Sequence, residues 1–594
     1  MTYTAPVKDI AFALRHVIGL SDIAELEGFE DATPDLVEAV LEESARFTGD
    51  VLAPLNRTGD LQGSQWNEGE VSTPDGWKDA YNQFVENGWG SLAFPPEFGG
   101  QGLPMTVAAA VQEMWHSANM SFGLCPLLTQ GAVDAIEHHA SEELQQQFLP
   151  KMVEGVWSGT MNLTEPQAGS DLASVRSTAV PQGDHYLISG QKIFITYGEH
   201  DLTENIIHLV LARLPDAPPG VKGISLFIVP KFLVNDDGSI GERNDVKCVS
   251  LEHKLGIHAS PTCVMSYGDN GGATGYLVGK EHHGLVYMFT MMNQARHAVG
   301  VEGYGIAERA YQQALSYARD RKQGKTLLGQ SEEDQGIINH PDVRRILMTM
   351  KSTIVAMRGL GLECASAFDR ARRHQDKAVS ERMQRRGELL TPLVKGWSTE
   401  MGVDLCSLGM QVHGGMGYIE ETGAAQYLRD ARIAPIYEGT TAIQANDLIG
   451  RKTARDGGQG MSELISDMRA TQDELSSLDH ADIQAIVKRF DAAIGAAETA
   501  NEWLLAQNDA SQAAATSVEF LMMHGYLAGG WMMARTASAA LEQSQTPEAD
   551  KDWLASQITL ARYYAERMLP LVESGSTIIT NSAASTVALN PDQL

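Results

Sequence analysis

The sequence predicts a mainly α-helical protein with a small antiparallel β domain in its middle, and three observations predict this arrangement. Apolar residues recur at helical spacing in the first part of the chain and again from Gly284 onward. Between these parts, runs rich in β-branched and aromatic residues alternate with turn residues. The last part is Ala-rich and helix-prone. We therefore expect an N-terminal helical domain, a middle β domain, a C-terminal helical bundle domain and an additional C-terminal helical domain, at residues 1–158, 159–280, 281–452 and 462–594.

The N-terminal domain is predicted to contain helices and loops. Residues 35–45 have helical apolar spacing. Glycines and prolines then mark a loop at 88–104, and a helix is expected to run from Met105 through about His139.

Three β-rich runs, at 185–196, 206–213 and 223–229, predict the strands of the middle domain. The acidic segment at 235–239 lacks the ligand spacing of a calcium loop, so a hairpin turn is expected there.

A long amphipathic helix is predicted to open the third domain, and its apolar face is expected to be core. That face is formed by Leu285, Met288, Phe289, Met292, Ala295 and Val299. The Gly-rich residues 455–462 are expected to form a flexible linker to the last domain.

Composition excludes several classes of protein. The 594 residues are 43% apolar and carry 45 basic against 76 acidic side chains, a net charge of −31. Such a chain repels nucleic acid and anionic membranes, so neither is an expected partner. The five cysteines form no CxxC pair, and we find neither a signal peptide nor an apolar run of about 18 residues. A cytoplasmic protein without a metal site is expected.

Two segments at the start of the β domain are candidates for binding a planar cofactor. In residues 161–171, Thr164 and Ser170 can donate hydrogen bonds, and Gly169 permits close approach of the backbone. A plain polar loop is the alternative. In the second segment Phe194 can stack on a ring while Thr196 bonds its edge. The alternative for Phe194 is a core side chain.

Two further segments lie late in the chain. Residues 411–418 contain three glycines in four positions, which indicates close packing against either another helix or a phosphate-bearing ligand. In residues 436–441, Glu438 has apolar and small neighbours. Burial there would raise the pKa of this carboxyl group and suit it to general-base catalysis, whereas a solvated loop side chain is the alternative.

In this order and spacing, the four segments resemble the acyl-CoA dehydrogenase family of flavoproteins. Residues 254–263 and two arginines, Arg296 and Arg321, extend the resemblance over roughly residues 35–452. It implies N-terminal helices, a middle β domain and a four-helix bundle, with FAD held noncovalently between β domain and bundle and reached by a neighbouring subunit.

The resemblance also implies the roles of individual residues. Glu438 is expected to be the catalytic base, and Ser170 and Arg296 are expected to lie near the acyl-CoA. The implied FAD contacts are Met161, Leu163, Thr164, Gly169, Ser170, Phe194, Thr196, Arg321, Gln323, Gln411, Gly414, Gly415, Gly439, Thr440 and Gln444.

Three features depart from the common family pattern. The segment Arg321-Lys-Gln-Gly is shorter than the usual pattern of Arg, two variable residues, then Phe-Gly, so it lacks the phenylalanine that contacts the cofactor. Phe194 stands where a tryptophan is usual, which keeps a stacking ring but loses the indole donor. Some relatives carry their base beside the helical arginine, where this chain has Ala295. Since alanine cannot accept a proton, the base is expected to be Glu438.

The extra C-terminal domain resembles a larger bacterial branch that includes dehydrogenases of 3-methylmercaptopropionyl-CoA. The resemblance implies α-proton abstraction by Glu438 and β-hydride transfer to flavin N5, giving a trans-2-enoyl-CoA from a short-chain acyl-CoA. It also implies electron-transfer flavoprotein or a similar acceptor, and a homodimer or homotetramer. Acyl-chain length, the role of residues 462–594 and the choice between dimer and tetramer stay open.

Two rival functions share this architecture. An acyl-CoA oxidase differs in allowing oxygen to reach the reduced flavin. A DNA-binding flavoprotein of the alkylation-response type would need a basic surface, and the net charge of −31 argues against it.

Overall fold

The computed structural model describes residues 3–325, 327–328 and 335–594. Its N-terminal part is helical, as expected. The helices are α1 (Val7–Phe12), α2 (Leu20–Ala24), α3 (Pro34–Phe47), α4 (Ala53–Gln62), α5 (Trp77–Glu86), α6 (Met105–Ala118), α7 (Met120–His139) and α8 (Glu142–Glu154).

Two local features differ from the sequence prediction. A short antiparallel hairpin joins β1 (Gln65–Asn67) to β2 (Glu70–Ser72), and its turn residues Glu68 and Gly69 both have positive φ. Two such residues match the twist of a tight hairpin. The helix expected from Met105 to about His139 is divided at Asn119, whose extended backbone ends α6 and whose side chain caps α7 by accepting a hydrogen bond from Phe122 N (3.2 Å).

The middle domain consists of strands β3 (Trp157–Asn162), β4 (Thr178–Gln182), β5 (His185–Thr196), β6 (Asn205–Arg213), β7 (Ile224–Pro230), β8 (Phe232–Val234), β9 (Ile240–Arg243), β10 (Val246–Leu251), β11 (Thr262–Tyr267) and β12 (Ala273–Leu277). In its main sheet the neighbouring strands run in the order β10, β11, β5, β12, β7, β6, β3, with β4 paired to β5, while β8 and β9 pair with each other. The predicted hairpin turn at 235–239 joins β8 to β9.

The sheet is not wholly antiparallel, because β3 pairs with β6 in parallel. Parallel neighbours need a long connection. Here the chain between β3 and β6 includes the loop after Asn162 and the β4–β5 hairpin, and it returns to the starting end of β3.

The third domain is built on three long helices, α9 (Gly284–Asp320), α10 (Pro341–Arg373) and α11 (Lys377–Val412). After α12 (Ala424–Ala431), α13 (Thr441–Asn446) continues into a π-helical segment, Asp447–Ala454, and completes the bundle. Glycines let α9 and α11 approach closely, since a Cβ atom on Gly303 would lie 2.5 Å from Ser398 O. The backbones of the two helices are therefore in direct contact.

The additional C-terminal domain is helical and packs against α10 and α11 of the bundle. Its helices are α14 (Gln459–Ser476), α15 (Ala481–Ala506), α16 (Ala510–Ala515), α17 (Ser517–Gln543), α18 (Lys551–Arg567) and α19 (Pro570–Thr586). The expected linker is mostly absent, because a tight turn at 455–458 leads directly into α14. Within the described ranges, no helix combines the length and hydropathy needed to cross a bilayer.

A buried ion cluster joins the N-terminal helices to the bundle. The Arg358 guanidinium on α10 is 2.6 Å from Glu113 on α6 and 3.2 Å from Glu308 on α9. All three side chains are at most 2% exposed. Although burial opposes the charge of Arg358, the two glutamates raise its pKa above its usual value. The guanidinium thus compensates two carboxylates that water cannot reach.

We predict that Arg358→Met destabilises the folded chain by about 3–5 kcal/mol, because it leaves a buried acidic pair without its counter-ion. The measurement is thermal denaturation against wild type. A matched control is Lys377→Met, which removes the exposed Lys377–Glu381 pair and is expected to cost at most about 1 kcal/mol. Equal losses of stability in the two variants would contradict the prediction.

Candidate active site

The first two sequence segments meet at the end of β3. Thr164 O accepts a hydrogen bond from Ile193 N (2.9 Å), and the Thr160 hydroxyl donates to Thr196 O (2.7 Å). The loop that follows Met161 therefore lies directly beside the end of β5. Tertiary structure thus places the two predicted cofactor-binding segments side by side.

A buried ion pair holds this loop in place. Lys192 Nζ is 2.8 Å from Glu165 Oε1 and donates to Leu163 O at 3.1 Å. Glu165 also accepts hydrogen bonds from the Ser177 hydroxyl and from Arg176 N. Although burial raises the pKa of Glu165, Lys192 and these hydrogen bonds lower it to about 2. The carboxylate is ionised at neutral pH and anchors the loop backbone.

Phe194 is not a core side chain. It is 58% exposed, while its neighbour Ile195 is buried. Its φ of 60° lies in the left-handed region, which a bulky residue adopts only under constraint from its surroundings. The β5–β11 register shifts here, between Cys263 and Met265. The backbone thus turns an aromatic ring outward beside the loop.

The surface around Phe194 fits a planar cofactor with polar edges. Gly169 and Ser170 are exposed, and a Cβ atom on Gly169 would meet nothing within 4 Å. Thr164 and Thr196 are half-buried and supply hydroxyl groups. An exposed ring, hydroxyl donors and open space above a glycine are together suited to FAD.

Glu438 lies in a sharp turn that leads into α13. Its φ is 54° and that of Gly439 is 86°, so two successive residues have left-handed backbone. The buried Gln444 amide donates to Glu438 O (3.1 Å) and to Gly439 O (3.3 Å). Thr440 caps α13 by accepting a hydrogen bond from Ile443 N. These contacts fix the direction in which the Glu438 side chain leaves the backbone.

The charge of Glu438 is set by two opposing effects. Burial raises its pKa from 4.5 to about 7, while Arg296 and Lys395 lower it. Arg296, on α9, is 3% exposed and its guanidinium lies 3.6 Å from Asp447. A carboxyl group that titrates near neutral pH is poised to accept a proton.

Three residues around Glu438 were missed by the sequence analysis. Lys395 on α11 and Glu302 on α9 have fully buried side chains, and the Tyr437 hydroxyl donates a hydrogen bond to Glu302. Lys395 Nζ donates to Gly439 O (2.7 Å). In the sequence, Lys395 and Glu302 each stand as a single charged residue among apolar or small neighbours, and this pattern is the signal that could have revealed them. It does not reveal which residue lies opposite.

The remaining predicted cofactor contacts lie at the other end of the bundle. Arg321 and Gln323 follow the end of α9, and Gln411, Gly414 and Gly415 lie at the end of α11. The ends adjoin, because the Tyr317 and His413 rings are 4.5 Å apart. Arg296 and Arg321 are separated by 25 residues, about 37 Å of helix. Within one chain, this second group is therefore remote from Glu438.

The second group forms an open surface. All five of its members are exposed, and a Cβ atom on Gly414 or Gly415 would meet nothing within 4 Å. Met416 and Tyr418 beside them are also exposed, at 48% and 84%.

Comparison with protein-family models matches four successive parts of the chain. Residues 37–156, 160–269 and 282–453 match the N-terminal, middle and C-terminal domains of acyl-CoA dehydrogenase. Residues 464–590 match the model described as Acetyl-CoA dehydrogenase C-terminal like. The matches follow the order expected from the sequence.

Curated relatives resemble the chain over nearly its full length. The chain is 51% identical to 3-methylmercaptopropionyl-CoA dehydrogenase of Ruegeria pomeroyi, covering 98% of this chain and 99% of the relative. It is 34% identical to a butyryl-CoA dehydrogenase of Syntrophomonas wolfei, covering 96% and 95%.

Solved structures share the fold. Caenorhabditis elegans ACDH-11, in complex with C11-CoA, matches with a TM-score of 0.77 and 20% identity over 96% of this chain and 92% of that one. A Bacillus anthracis acyl-CoA dehydrogenase complexed with FAD matches with a TM-score of 0.74 and 19% identity over 98% and 95%. The family models and the relative at 51% identity show that the chain belongs to the acyl-CoA dehydrogenase family and is a flavin-dependent oxidoreductase with FAD as its cofactor.

Proposed function

We propose that the chain converts a short-chain acyl-CoA to a trans-2-enoyl-CoA, with Glu438 as the base that removes the α-proton. The observation that carries this proposal is the Glu438 carboxyl group itself. It lies in a constrained turn beside the Arg296 and Lys395 cations, and its pKa is raised to about 7. FAD, when bound, supplies the acceptor for the β-hydride.

Glu438 faces a mismatch of acidity, since an α-proton beside a thioester is far less acidic than an ordinary carboxyl group. Burial reduces the mismatch, because a dehydrated carboxylate is a stronger base than a solvated one. A hydrogen bond from the Glu438 backbone N–H to the thioester carbonyl would further stabilise the developing enolate. The Gln444 and Lys395 contacts support this arrangement, because they fix the backbone that would donate that bond.

The residues proposed to hold FAD form two groups. The surface around Phe194 would bind the flavin and its ribityl chain, through Met161, Leu163, Thr164, Gly169, Ser170, Phe194 and Thr196. Gly439, Thr440 and Gln444 would complete the site beside the base. Ser170 and Arg296 would also lie near the acyl-CoA.

The second group would act on the cofactor of a neighbouring copy. Arg321, Gln323, Gln411, Gly414 and Gly415 are exposed and lie at the far end of the bundle from Glu438. The group around Phe194 and this second group can both contact one extended FAD molecule if the second group comes from another copy of the chain. We therefore propose a homodimer or homotetramer, in which Arg321 provides positive charge for the pyrophosphate.

The proposed substrate is 3-methylmercaptopropionyl-CoA, supported by the relative of that name at 51% identity. The proposed electron acceptor is electron-transfer flavoprotein or a similar protein.

The substrate assignment can be tested with a panel of acyl-CoA thioesters of different chain length in the absence of oxygen. We predict that 3-methylmercaptopropionyl-CoA bleaches the flavin absorbance of the holoenzyme faster than the longer-chain thioesters do. Bleaching by long-chain thioesters alone would overturn the substrate assignment. Rapid peroxide formation in air would instead indicate an oxidase.

Glu438→Gln is predicted to retain FAD and to lose about 10²–10⁴-fold in turnover, because an amide cannot accept the α-proton. In the wild type, turnover should rise with pH through about 7, since the raised pKa leaves the carboxyl group protonated below that pH. Glu421→Gln, an exposed carboxylate between α11 and α12, is the matched control. Near-wild-type turnover of Glu438→Gln would end the assignment of the base.

Arg321→Ala is predicted to weaken FAD retention, because the pyrophosphate loses a bidentate cationic partner. The measurement is the ratio of flavin to protein absorbance after dialysis, with Lys325→Ala as the control on a neighbouring exposed cation. Unchanged flavin content in Arg321→Ala would contradict the proposed role.

A further inference from the structure

Lys395 is a fully buried lysine beside the turn that carries the proposed base. Its side chain has no exposed surface, and its ammonium group donates a 2.7 Å hydrogen bond to Gly439 O. Gly439 directly follows Glu438, and both have left-handed backbone. A buried ammonium group is costly unless charge and hydrogen bonds compensate it. This lysine is therefore tied to the turn that carries the proposed base.

The charged groups that face Lys395 come from three directions. They are Glu438 on the turn, Glu302 and Arg296 on α9, and Glu400 on its own helix. Burial lowers the pKa of Lys395 to about 7, whereas Glu438 and Glu302 act to raise it. Glu438 itself is faced by the Arg296 and Lys395 cations.

Glu302 competes little with Glu438 for the ammonium group at neutral pH. Burial raises the pKa of Glu302 to about 8, although the hydrogen bond from Tyr437 acts to lower it. Glu302 is thus mostly protonated at pH 7. An ionised Glu438 is then the main carboxylate available to compensate Lys395, and the two charges stabilise each other.

The additional C-terminal domain packs against the helix segment that carries Lys395. Helix α17 packs against the α11 segment that carries Lys395, so that a Cβ atom on Gly396 would lie 2.7 Å from Leu521 Cδ1. Gly525 lies against Trp397, where a Cβ atom would be 2.2 Å from Cγ. Helix α17 also packs against α13, which begins just after the turn. The domain therefore packs against both the helix that carries Lys395 and the helix that follows the Glu438 turn.

We propose that Lys395 is a positioning residue for Glu438, whose ammonium group fixes the turn through the Gly439 carbonyl and favours the ionised carboxylate before proton abstraction. The inference rests on the proposed function of Glu438 as the base. It gives residues 462–594 a supporting role, since α17 packs against the helix that carries the lysine.

The test compares Lys395→Met, Lys395→Gln and Lys395→Arg in the full-length holoenzyme. Methionine removes charge and hydrogen bond, glutamine keeps a donor without charge, and arginine keeps both. We expect Lys395→Met to retain FAD, to lose about tenfold or more in kcat and to move the acidic limb of the kcat–pH profile upward by about one unit or more. The limb moves upward because removal of a nearby cation raises the pKa of a carboxyl group.

The other variants separate charge from the hydrogen bond. Lys395→Gln should show the same upward shift with a smaller loss of kcat, and Lys395→Arg should restore the position of the limb. If Lys395→Met does not fold, Lys395→Gln carries the test. An unmoved acidic limb in a folded, charge-removing variant would overturn the inference, since loss of packing alone lowers stability without shifting the limb.

Glu302→Gln provides the matched control. It replaces a buried carboxyl group of the same cluster that is already uncharged below about pH 7, so the acidic limb should stay in place. Movement of the limb in Glu302→Gln equal to that in Lys395→Met would overturn the inference. Failure of the inference is distinguishable from failure of the proposed function. If Glu438→Gln is active, both the proposed function of Glu438 and the inference about Lys395 are wrong. If Glu438→Gln is inactive but the acidic limb does not move in the Lys395 variants, only the inference about Lys395 is wrong.

Discussion

The site depends on holding a carboxylate in a water-poor environment without losing its charge entirely. Burial alone would keep Glu438 protonated, and exposure alone would leave it a weak base. Arg296 and Lys395 balance the burial, and the result is a carboxyl group with a pKa of about 7. The left-handed backbone at Glu438 and Gly439 is the conformational cost of this arrangement, and the Gln444 and Lys395 hydrogen bonds maintain it.

The positions of the site residues follow from the long helices α9 and α11. Close contact of α9 with α11 at Gly303 brings Arg296 and Glu302 from one helix together with Lys395 from the other. The same two helices carry Arg321 and Gln411 to their far ends, about 37 Å along α9 from Arg296 and about 24 Å along α11 from Lys395. This separation within one chain is the reason that the proposed FAD site includes a second copy.

The β domain presents an exposed aromatic ring and hydroxyl groups at the end of β5. The buried Lys192–Glu165 pair anchors the loop after β3, and the register shift in β5 turns Phe194 outward. The anchored loop helps to hold Phe194 in its left-handed conformation, because an unfavourable backbone conformation persists only where the surroundings enforce it.

The helix–sheet–helix order, the extra helical domain, the family and Glu438 as a candidate base were all predictable from the sequence, because periodicity and local motifs are properties of short segments. The sequence did not predict the β1–β2 hairpin, the break at Asn119 or the parallel β3–β6 pair, since these depend on backbone turns and on long connections. Folding alone places Lys395 against Gly439, packs α17 against the adjacent Gly396 and Trp397, and separates Arg321 from Glu438. Such contacts join residues distant in the chain, and the charge of a buried group is set by whichever groups folding places around it.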